Sequence, residues 1–233
     1  MSLHFCWLVD AWASSREQYL RAWMKAGWHV VLWHGGQLAS SAFPVEGVEL
    51  RPAAEILAGS LVEHALAYEK RFKNHAACAD LFRYHVLHEL GGAYADIDIL
   101  PGRNAVPAVC NGPNPVFGRA WVPLQWDLEI RFIATPGPRH PLLERLRAKA
   151  VENTEAFIAA GGHTAASDLN HVIGRTGPAM AKSVIRQYAR DSGVKFSSFV
   201  LKQATNDNTK ENGSEHFNLK EKIVREIATA SIP

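Results

Sequence analysis

Short apolar runs alternate with segments of helical periodicity in the first part of the chain. Residues 3–9 and 29–33 are the first two runs, and each has the length and composition of a buried strand. Between them, Ser14 and Glu17 have the spacing of a capping box, which predicts a helix that ends at Gly27. A strand, a helix and a second strand in this order form the unit from which parallel sheets are built. The pattern therefore predicts an α/β protein.

The strongest local pattern lies in residues 76–100, where a helix and a strand are predicted back to back. Gly91 would end the helix in the αL conformation, which favours a residue without Cβ, and Gly92 permits an immediate turn. One row of side chains along the helix would be apolar, formed by Ala79, Phe82, Val86 and Leu90. A second, mixed row would be formed by Asp80, Arg83 and Leu87. Residues 93–100 alternate as a strand, with Tyr94, Asp96 and Asp98 on its polar face. Ile97 and Ile99 lie on its apolar face.

Further elements of both types are predicted in the rest of the chain. A stretch rich in Gly, Ser and Pro over residues 35–52 indicates a loop that encloses a strand near 48–50. The other predicted elements are a helix at 60–72, strands at 116–122 and 129–135, a helix at 141–160, a helix that begins at Pro178, and a polar loop at 205–214.

The composition narrows the class of protein. The chain has 233 residues, of which 47% are hydrophobic, so one domain can bury a substantial core. The net charge of +2, without a block of Lys or Arg, argues against a nucleic-acid partner. Three separated cysteines predict buried thiols in a reducing compartment. No apolar run approaches the roughly twenty residues that cross a bilayer, so we expect a cytoplasmic protein without a transmembrane segment, in which any membrane contact is peripheral.

Asp96 and Asp98 are the first candidates for chemistry. Two carboxylates this close at the end of a buried strand repel each other, and a low-dielectric setting makes that repulsion costly unless a cation lies beside them. Mg²⁺ and Mn²⁺ prefer carboxylate oxygens and keep positions open for phosphate. The pair therefore predicts a metal-bound diphosphate, and the alternative for a bare Asp-x-Asp is a solvated strand end.

Other chemistries fit parts of the same stretch. A haloacid-dehalogenase-like phosphatase would use Asp96 as nucleophile and Asp98 as general acid, but no adjacent carboxylates follow an apolar strand downstream to complete its Mg²⁺ site. A zinc hydrolase would need the spacing HExxH or HxxEH, which His85, His88 and Glu89 do not have. A nucleotide-sugar-binding module without catalysis stays open.

Residues 79–98 carry the pattern AD-x-x-R followed by LGGAY-x-D-x-D, which resembles the sugar-binding DXD region of retaining glycosyltransferases with the GT-A fold. That group includes fungal mannosyltransferases, bacterial capsule and lipopolysaccharide transferases, and glucosylating toxins. The first strand and helix are similar too, through Phe5-x-Trp7, Trp23 and Leu32-Trp33. The resemblance implies a Rossmann-type nucleotide-binding domain with a mixed, mostly parallel central sheet flanked by helices. It also implies a hexosyltransferase of the kind used in polysaccharide biosynthesis.

The resemblance assigns the metal and the sugar to particular residues. Asp98 would bind Mn²⁺ or Mg²⁺ directly, and Asp96 would contact ribose or sugar hydroxyls and the water shell of the metal. His216 is a further candidate for the metal, because family members often place a histidine near the C-terminus. Asp80 and Arg83 would hold the donor sugar, and the alternative for them is a surface ion pair worth only tenths of a kcal/mol, roughly.

The resemblance also implies how the nucleotide is bound. Trp7 and Tyr94 would flank it, with Trp7 stacking on the base. The alternative for Trp7 is core packing, and packing is what we expect of the tryptophans at positions 12, 23, 28 and 33. The family's asparagine before the Pro136-Gly137 turn is absent from residues 129–134, where Arg131 is predicted to be an exposed charge on a strand.

The donor and acceptor follow only from the resemblance. The donor would be a nucleotide-sugar, UDP-hexose first and GDP-mannose second, and the acceptor a glycan. The family implies retention of the anomeric configuration. Residues 1–233 would form a single glycosyltransferase domain, with residues 1–100 as the nucleotide-sugar-binding half and residues 101–233 as the acceptor-side half with a polar C-terminal tail.

Overall fold

A six-stranded mixed sheet forms the centre of the fold. The computed structural model describes residues 1–9, 12–36, 38, 43–122, 125–162 and 169–201. The strands are β1 (Ser2–Trp7), β2 (His29–His34), β3 (Glu49–Pro52), β4 (Gly92–Ala95), β5 (Val116–Val122) and β6 (Gln125–Thr135). Their order across the sheet is β3-β2-β1-β4-β6-β5.

Four of the strands run parallel and two complete the sheet in a mixed arrangement. β1 lies between β2 and β4 and is parallel to both, and β3 is parallel to β2. β6 is antiparallel to β4 and to β5. The register pairs Leu3 with Ala93 and His4 with Tyr94, so the carboxyl ends of β1 and β4 are neighbours. The predicted mixed sheet with mostly parallel strands is confirmed.

Seven helices of the described residues pack on the sheet and on one another. They are α1 (Glu17–Lys25), α2 (Ala54–Leu57), α3 (Glu63–Arg71), α4 (His75–Leu90), α5 (Pro141–Ala159), α6 (Leu169–Arg175) and α7 (Pro178–Ser192). Short 3₁₀ turns lie at Ser14–Arg16, Pro107–Asn111 and Phe196–Phe199. None of the helices in this part of the chain is long and apolar enough to cross a membrane.

The start of α1 corrects the predicted capping box. Ser14 lies inside the 3₁₀ turn, and Glu17 is the first residue of α1 itself. No side chain caps either element, because the turn carries the chain directly into the helix. The predicted end at Gly27 is confirmed, since this glycine has a φ of 90°.

The central helix α4 is buried on nearly all sides, which the predicted two-row pattern did not anticipate. It contacts β1, β4 and β6 on one side and α3 and α5 on the other. Asn74 caps it, because its side-chain oxygen accepts a hydrogen bond of 3.3 Å from the amide of Ala77. Leu90, predicted to lie in the apolar row, is 45% exposed because it belongs to the last turn, beyond the sheet. Asp80 and Arg83 of α4 therefore lie in the interior of the protein.

The two glycines after α4 are required by space as well as by conformation. Gly91 and Gly92 have φ values of 73° and 81°. A Cβ on Gly92 would lie 2.5 Å from the backbone oxygen of Ser2, and one on Gly91 would lie 2.9 Å from the backbone of Gly137. The predicted positive φ is confirmed, but with a ψ of −157° Gly91 lies outside the αL region. These contacts fix how β4 enters the sheet.

Each face of the sheet carries its own core. The larger core joins side chains of α3, α4, α5 and α7 to the sheet. The smaller core lies under α1 and is aromatic, with the ring of Trp23 stacked on that of Phe132 at a centroid distance of 5.5 Å. Three of the four tryptophans expected to pack in the core, at positions 23, 28 and 33, are at most 3% exposed.

The aromatic core also holds the segment that follows the D-x-D residues. The indole nitrogen of Trp23 donates to the carbonyl of Ile99 at 2.8 Å, and that of Trp28 donates to the carbonyl of Ala105 at 2.8 Å. Both tryptophans are buried and fixed by packing. The loop after β4 is therefore tied to the underside of the sheet at two points, which orients the residues just before it.

Candidate active site

The D-x-D residues lie in a tight turn at the carboxyl end of β4. β4 ends at Ala95, and the amide of Asp96 is held by the carbonyl of Arg131 at 2.8 Å. The amide of Ile99 then returns to the carbonyl of Asp96 at 3.2 Å, which closes the turn. The predicted strand over residues 93–100 is therefore wrong beyond Ala95. The turn, and not strand alternation, brings the two aspartates to the same place.

Arg83 connects most of the predicted site residues. Its Nη2 lies 2.9 Å from Oδ1 of Asp96 and 3.1 Å from Oδ1 of Asp80. Its Nη1 donates to the carbonyl of Ile130, and its guanidinium lies 4.8 Å from the ring centroid of Tyr94. The side chain is 4% exposed. The surface ion pair considered for Asp80 and Arg83 is therefore excluded, because the pair is buried and shared with Asp96.

Both carboxylate oxygens of Asp80 have a partner. Oδ2 accepts a hydrogen bond of 2.9 Å from the hydroxyl of Thr176, and Oδ1 pairs with Arg83. Burial raises the pKa of Asp80 to about 6, although Arg83 and Thr176 both oppose the rise. Both donors therefore favour the ionised form of the carboxylate. Its link to Thr176, which is far away in sequence, was not predicted.

Asp96 and Asp98 differ in how they are held. The side chain of Asp96 is 23% exposed and paired with Arg83. Burial raises the pKa of Asp96, the Arg83 charge opposes this, and the Asp98 charge adds to it. Asp98 is partly exposed, and its carboxylate has no hydrogen bond or ion pair to any residue that the structure describes. The turn therefore presents one fixed and one available carboxylate.

A second ion pair, missed in the sequence, lies beside this turn. Arg131 donates from Nε to Oε2 of Glu129 at 2.8 Å, and its Nη2 is 2.7 Å from the same oxygen. Glu129 is 6% exposed and fills the space that Gly118 leaves, since a Cβ there would lie 2.8 Å from it. Arg131 lies on a strand with its side chain 37% exposed, in line with the predicted exposed charge, but it is paired with Glu129. Glu129 and Arg131 are two residues apart on one strand and therefore share a face. That spacing was the sequence signal that could have predicted the ion pair.

The charges around the turn do not cancel. Four carboxylates and two guanidinium groups leave a formal charge of −2 when all are ionised, and these groups belong to Asp80, Asp96, Asp98, Glu129, Arg83 and Arg131. Asp96, Asp98 and Arg131 are the members that reach the surface, with the Asp96 side chain 23% and the Arg131 side chain 37% exposed, so the surface of the turn carries two carboxylates and one guanidinium group. Such a surface attracts a cation.

Trp7 lies at the same edge of the sheet as the D-x-D turn. It is the last residue of β1, whose carboxyl end neighbours that of β4. Its ring is half-buried and lies 5.2 Å from that of Trp12, which in turn lies 4.9 Å from the ring of Phe43. Trp7 therefore belongs to an aromatic group at the rim of the site, whereas Tyr94 is only 2% exposed.

The structure does not bring every candidate to the site. His216 lies outside the described residues. His85 and His88 lie in the second half of α4 and contact the carbonyl of Ile56 and the carboxylate of Glu89. In the described part of the chain no group of three or more His, Cys, Asp or Glu side chains could hold a metal ion by itself. A metal at the D-x-D turn would therefore need further ligands from a substrate, from water or from residues outside the described part of the chain.

Solved structures that share this fold include the following three. The PaToxG glycosyltransferase is 17% identical with a TM-score of 0.60, and the match covers 83% of this chain and 72% of that chain. The catalytic domain of alpha-toxin from Clostridium novyi is 10% identical with a TM-score of 0.63, covering 95% of this chain and 82% of that one. The UDP-bound glycosyltransferase domain of the YGT toxin is 13% identical with a TM-score of 0.59, covering 88% and 79%. No curated protein sequence matches the chain.

The fold is the one found in glycosyltransferases of the GT-A class. Residues 17–115 match the family described as glycosyltransferase sugar-binding region containing DXD motif. This match includes residues 79–98 and confirms their resemblance to the DXD region of glycosyltransferases. The family match favours this activity over a phosphatase built on Asp96 and Asp98.

Proposed function

We propose that this protein is a metal-dependent hexosyltransferase that moves a hexose from a nucleotide-diphosphate sugar to a glycan acceptor with retention of configuration. The observation that carries the proposal is the D-x-D turn, where the carboxylate of Asp98 has no partner among the described residues and lies beside the fixed carboxylate of Asp96. The formal charge of −2 around the turn supports a divalent cation as the guest.

The chemistry of the turn fits Mg²⁺ or Mn²⁺. Both ions take carboxylate oxygens and accept one or two protein carboxylates together with phosphate oxygens and water. We assign Asp98 as the direct ligand and Asp96 as its neighbour. When bound, such an ion stabilises the negative charge that develops on the departing diphosphate. His216 remains a proposed further ligand.

We propose that Asp80 and Arg83 hold the donor sugar from behind the surface of the site. Both residues are at most 5% exposed. Asp96 forms an ion pair with Arg83, and its side chain is 23% exposed. Asp96 would then meet sugar or ribose hydroxyls in an orientation that Arg83 sets. A buried, fully paired support loses little further freedom when the substrate binds, which favours a precise geometry.

The nucleotide would lie along the rim formed by Trp7. Its half-buried ring can stack on a base while the group formed with Trp12 and Phe43 keeps it in place. Tyr94 has a different task in this proposal. It is buried and its ring packs against Arg83, the partner of Asp96, so it supports that carboxylate indirectly and does not reach the nucleotide.

Front-face substitution is the mechanism that we propose for retention. The acceptor oxygen would bond to the anomeric carbon as the bond from that carbon to the diphosphate oxygen breaks, and the departing phosphate would take the acceptor proton. Asp80 and Glu129 are buried and paired with arginines, which argues against their acting as a covalent nucleophile. A glycosyl-enzyme adduct trapped by mass spectrometry would overturn this mechanism.

UDP-hexose is the proposed donor and GDP-mannose the second choice. The structure of the YGT toxin domain was determined with UDP bound, which supports the first. Residues 1–100 contain Trp7 and the D-x-D turn and would form the donor-binding half of a single domain. Residues 101–233 would form the acceptor-side half.

Calorimetric titration tests the donor proposal. UDP-glucose, UDP-galactose, UDP-N-acetylglucosamine and GDP-mannose are titrated into the wild type and Asp98→Ala, with and without Mn²⁺. The expected result is metal-dependent binding of one donor, lost in the variant and kept in the control Asp191→Ala, whose target is a surface carboxylate of α7 paired with Arg145. Absence of donor binding in every condition would refute the proposal. Binding without sugar transfer or donor hydrolysis would indicate a non-catalytic module.

A further inference from the structure

A threonine from the far end of the chain reaches the centre of the site. Thr176 follows α6 and precedes Gly177, and it is fully buried. Its hydroxyl donates to Oδ2 of Asp80 at 2.9 Å, and its carbonyl accepts the Tyr84 hydroxyl at 3.0 Å. Its amide donates to the carbonyl of Val172 at 3.0 Å. The backbone of Thr176 is therefore fixed on both sides, and its hydroxyl lies closer to Asp80 than to its other acceptor, the carbonyl of Val172 at 3.5 Å.

The turn that holds Thr176 is itself tightly packed. The amide of Gly177 also donates to the carbonyl of Val172, at 2.8 Å. A Cβ on Gly177 would lie 2.8 Å from Cα of Ile173, so only glycine fits here. The last residue of α6, Arg175, is held by Glu69 at 2.7 Å in a second buried ion pair. These contacts fix the backbone around Thr176, and therefore the position of its hydroxyl beside Asp80.

The hydrogen bond acts on a chain of charged contacts that ends at the surface. Asp80 divides its two oxygens between Thr176 and Arg83, and Arg83 shares its Nη2 between Asp80 and Asp96. Among the described residues, the charges that face Asp80 are Arg83 on α4, Asp96 at the end of β4 and Glu69 on α3. Thr176 is the neutral donor that sets which oxygen of Asp80 is left for Arg83.

We propose that Thr176 is a positioning residue of the donor site, whose hydroxyl orients Asp80 so that Asp80 and Arg83 together fix the carboxylate of Asp96. The link to donor binding rests on the proposed function, whereas the link between Thr176 and Asp80 does not. Thr176 touches no reacting group in this proposal. It connects the loop between α6 and α7 with the D-x-D turn.

The test compares Thr176→Val, which keeps the shape and removes the hydroxyl, with Thr176→Ser, which keeps the hydroxyl. Thr154→Val is the matched control, because Thr154 is also fully buried and its hydroxyl donates to the carbonyl of Ala150, outside the site. Three quantities are measured for each: the pKa of Asp80 by carbon NMR of labelled aspartate, assigned with Asp80→Asn; the Kd of the nucleotide-sugar; and the midpoint of urea unfolding.

Thr176→Val is expected to raise the pKa of Asp80 by about one to two pH units, because a hydrogen bond to a charged group is lost. The Kd of this variant for the nucleotide-sugar should rise about tenfold or more. Thr176→Ser should stay near wild type in both, and Thr154→Val should lose stability alone. If Thr176→Val does not fold, Thr176→Ala replaces it.

The outcomes separate this inference from the proposed function. If no nucleotide-sugar binds to the wild type, the proposed function fails and the pKa of Asp80 alone decides whether Thr176 positions it. If the donor binds and Thr176→Val changes the pKa but not the Kd, the role in the donor site is overturned. A Thr176→Val protein that matches Thr154→Val in all three quantities would overturn the whole inference.

Discussion

Replacing Arg83 is the sharpest test of how the site is built. Arg83→Met keeps much of the apolar stem and removes the guanidinium, which leaves the carboxylates of Asp80 and Asp96 without their shared partner. Arg83→Lys keeps the positive charge but loses the planar fork that reaches both carboxylates. The comparison separates charge from geometry.

The expected loss is large because the partner groups are buried. Breaking a buried ion pair by removing one member costs about 3–5 kcal/mol, since an uncompensated charge is left behind. Asp80 is 5% exposed, and its pKa is already about 6 with Arg83 present. We therefore expect Arg83→Met to lose about 3–5 kcal/mol of unfolding free energy at about pH 7.

The loss should shrink as the solution is acidified. Without Arg83, the pKa values of Asp80 and Asp96 rise further above their unfolded values. The penalty is therefore full above the folded pKa values, shrinks as the pH falls below them, and is gone below the unfolded pKa values. Urea unfolding of the wild type, Arg83→Met and Arg83→Lys at about pH 7 and about pH 5 measures this difference.

A matched control keeps the interpretation specific. Arg21 forms an i, i+4 pair with Glu17 at 3.6 Å, and its side chain is 55% exposed. Arg21→Met should cost less than about 1 kcal/mol at either pH. If Arg83→Met also costs less than about 1 kcal/mol, or if its cost does not change with pH, the account of Arg83 as the shared partner of two buried carboxylates is refuted.

Three further predictions concern other parts of the fold and the site. Burial lowers the pKa of His4 to about 4, so the neutral buried histidine must take up a proton as the pH falls from about 6.5 to 4. Over this range the wild type should lose about 3 kcal/mol more unfolding free energy than His4→Gln. Equal pH profiles of the two proteins in urea unfolding would contradict this. Gly92→Ala should cost at least about 2 kcal/mol, because its Cβ meets the backbone of Ser2, whereas Gly59→Ala, with a similar positive φ and open space, should cost only about 1 kcal/mol by the same assay. Trp7→Ala should weaken UDP binding by about 1–3 kcal/mol in calorimetry while Trp7→Tyr keeps most of it, and unchanged affinity in Trp7→Ala would mean that this ring only packs.

Much of the site could be predicted because its residues lie close together in the sequence. Asp80 and Arg83 are one helical turn apart, and Gly91 and Gly92 mark where the chain must turn toward Asp96. Local periodicity therefore indicated the helix, the break and the strand. It failed after Ala95, because the strand is ended by its pairing with β6 and by the turn that Asp96 begins, neither of which has a local signal.

What the sequence by itself determined is the set of elements around the D-x-D residues and the family to which they point. Only the tertiary structure decided that α4 is covered on both sides, so that an i, i+3 pair became a buried pair with altered protonation. It also decided the partners of that pair. Thr176 reaches Asp80 across 96 positions, and the carbonyl of Ile130 reaches Arg83 across 47, contacts that come from packing α6, α7 and β6 around α4. Burial and long-range hydrogen bonds depend on which elements meet, and no local pattern of residues records that.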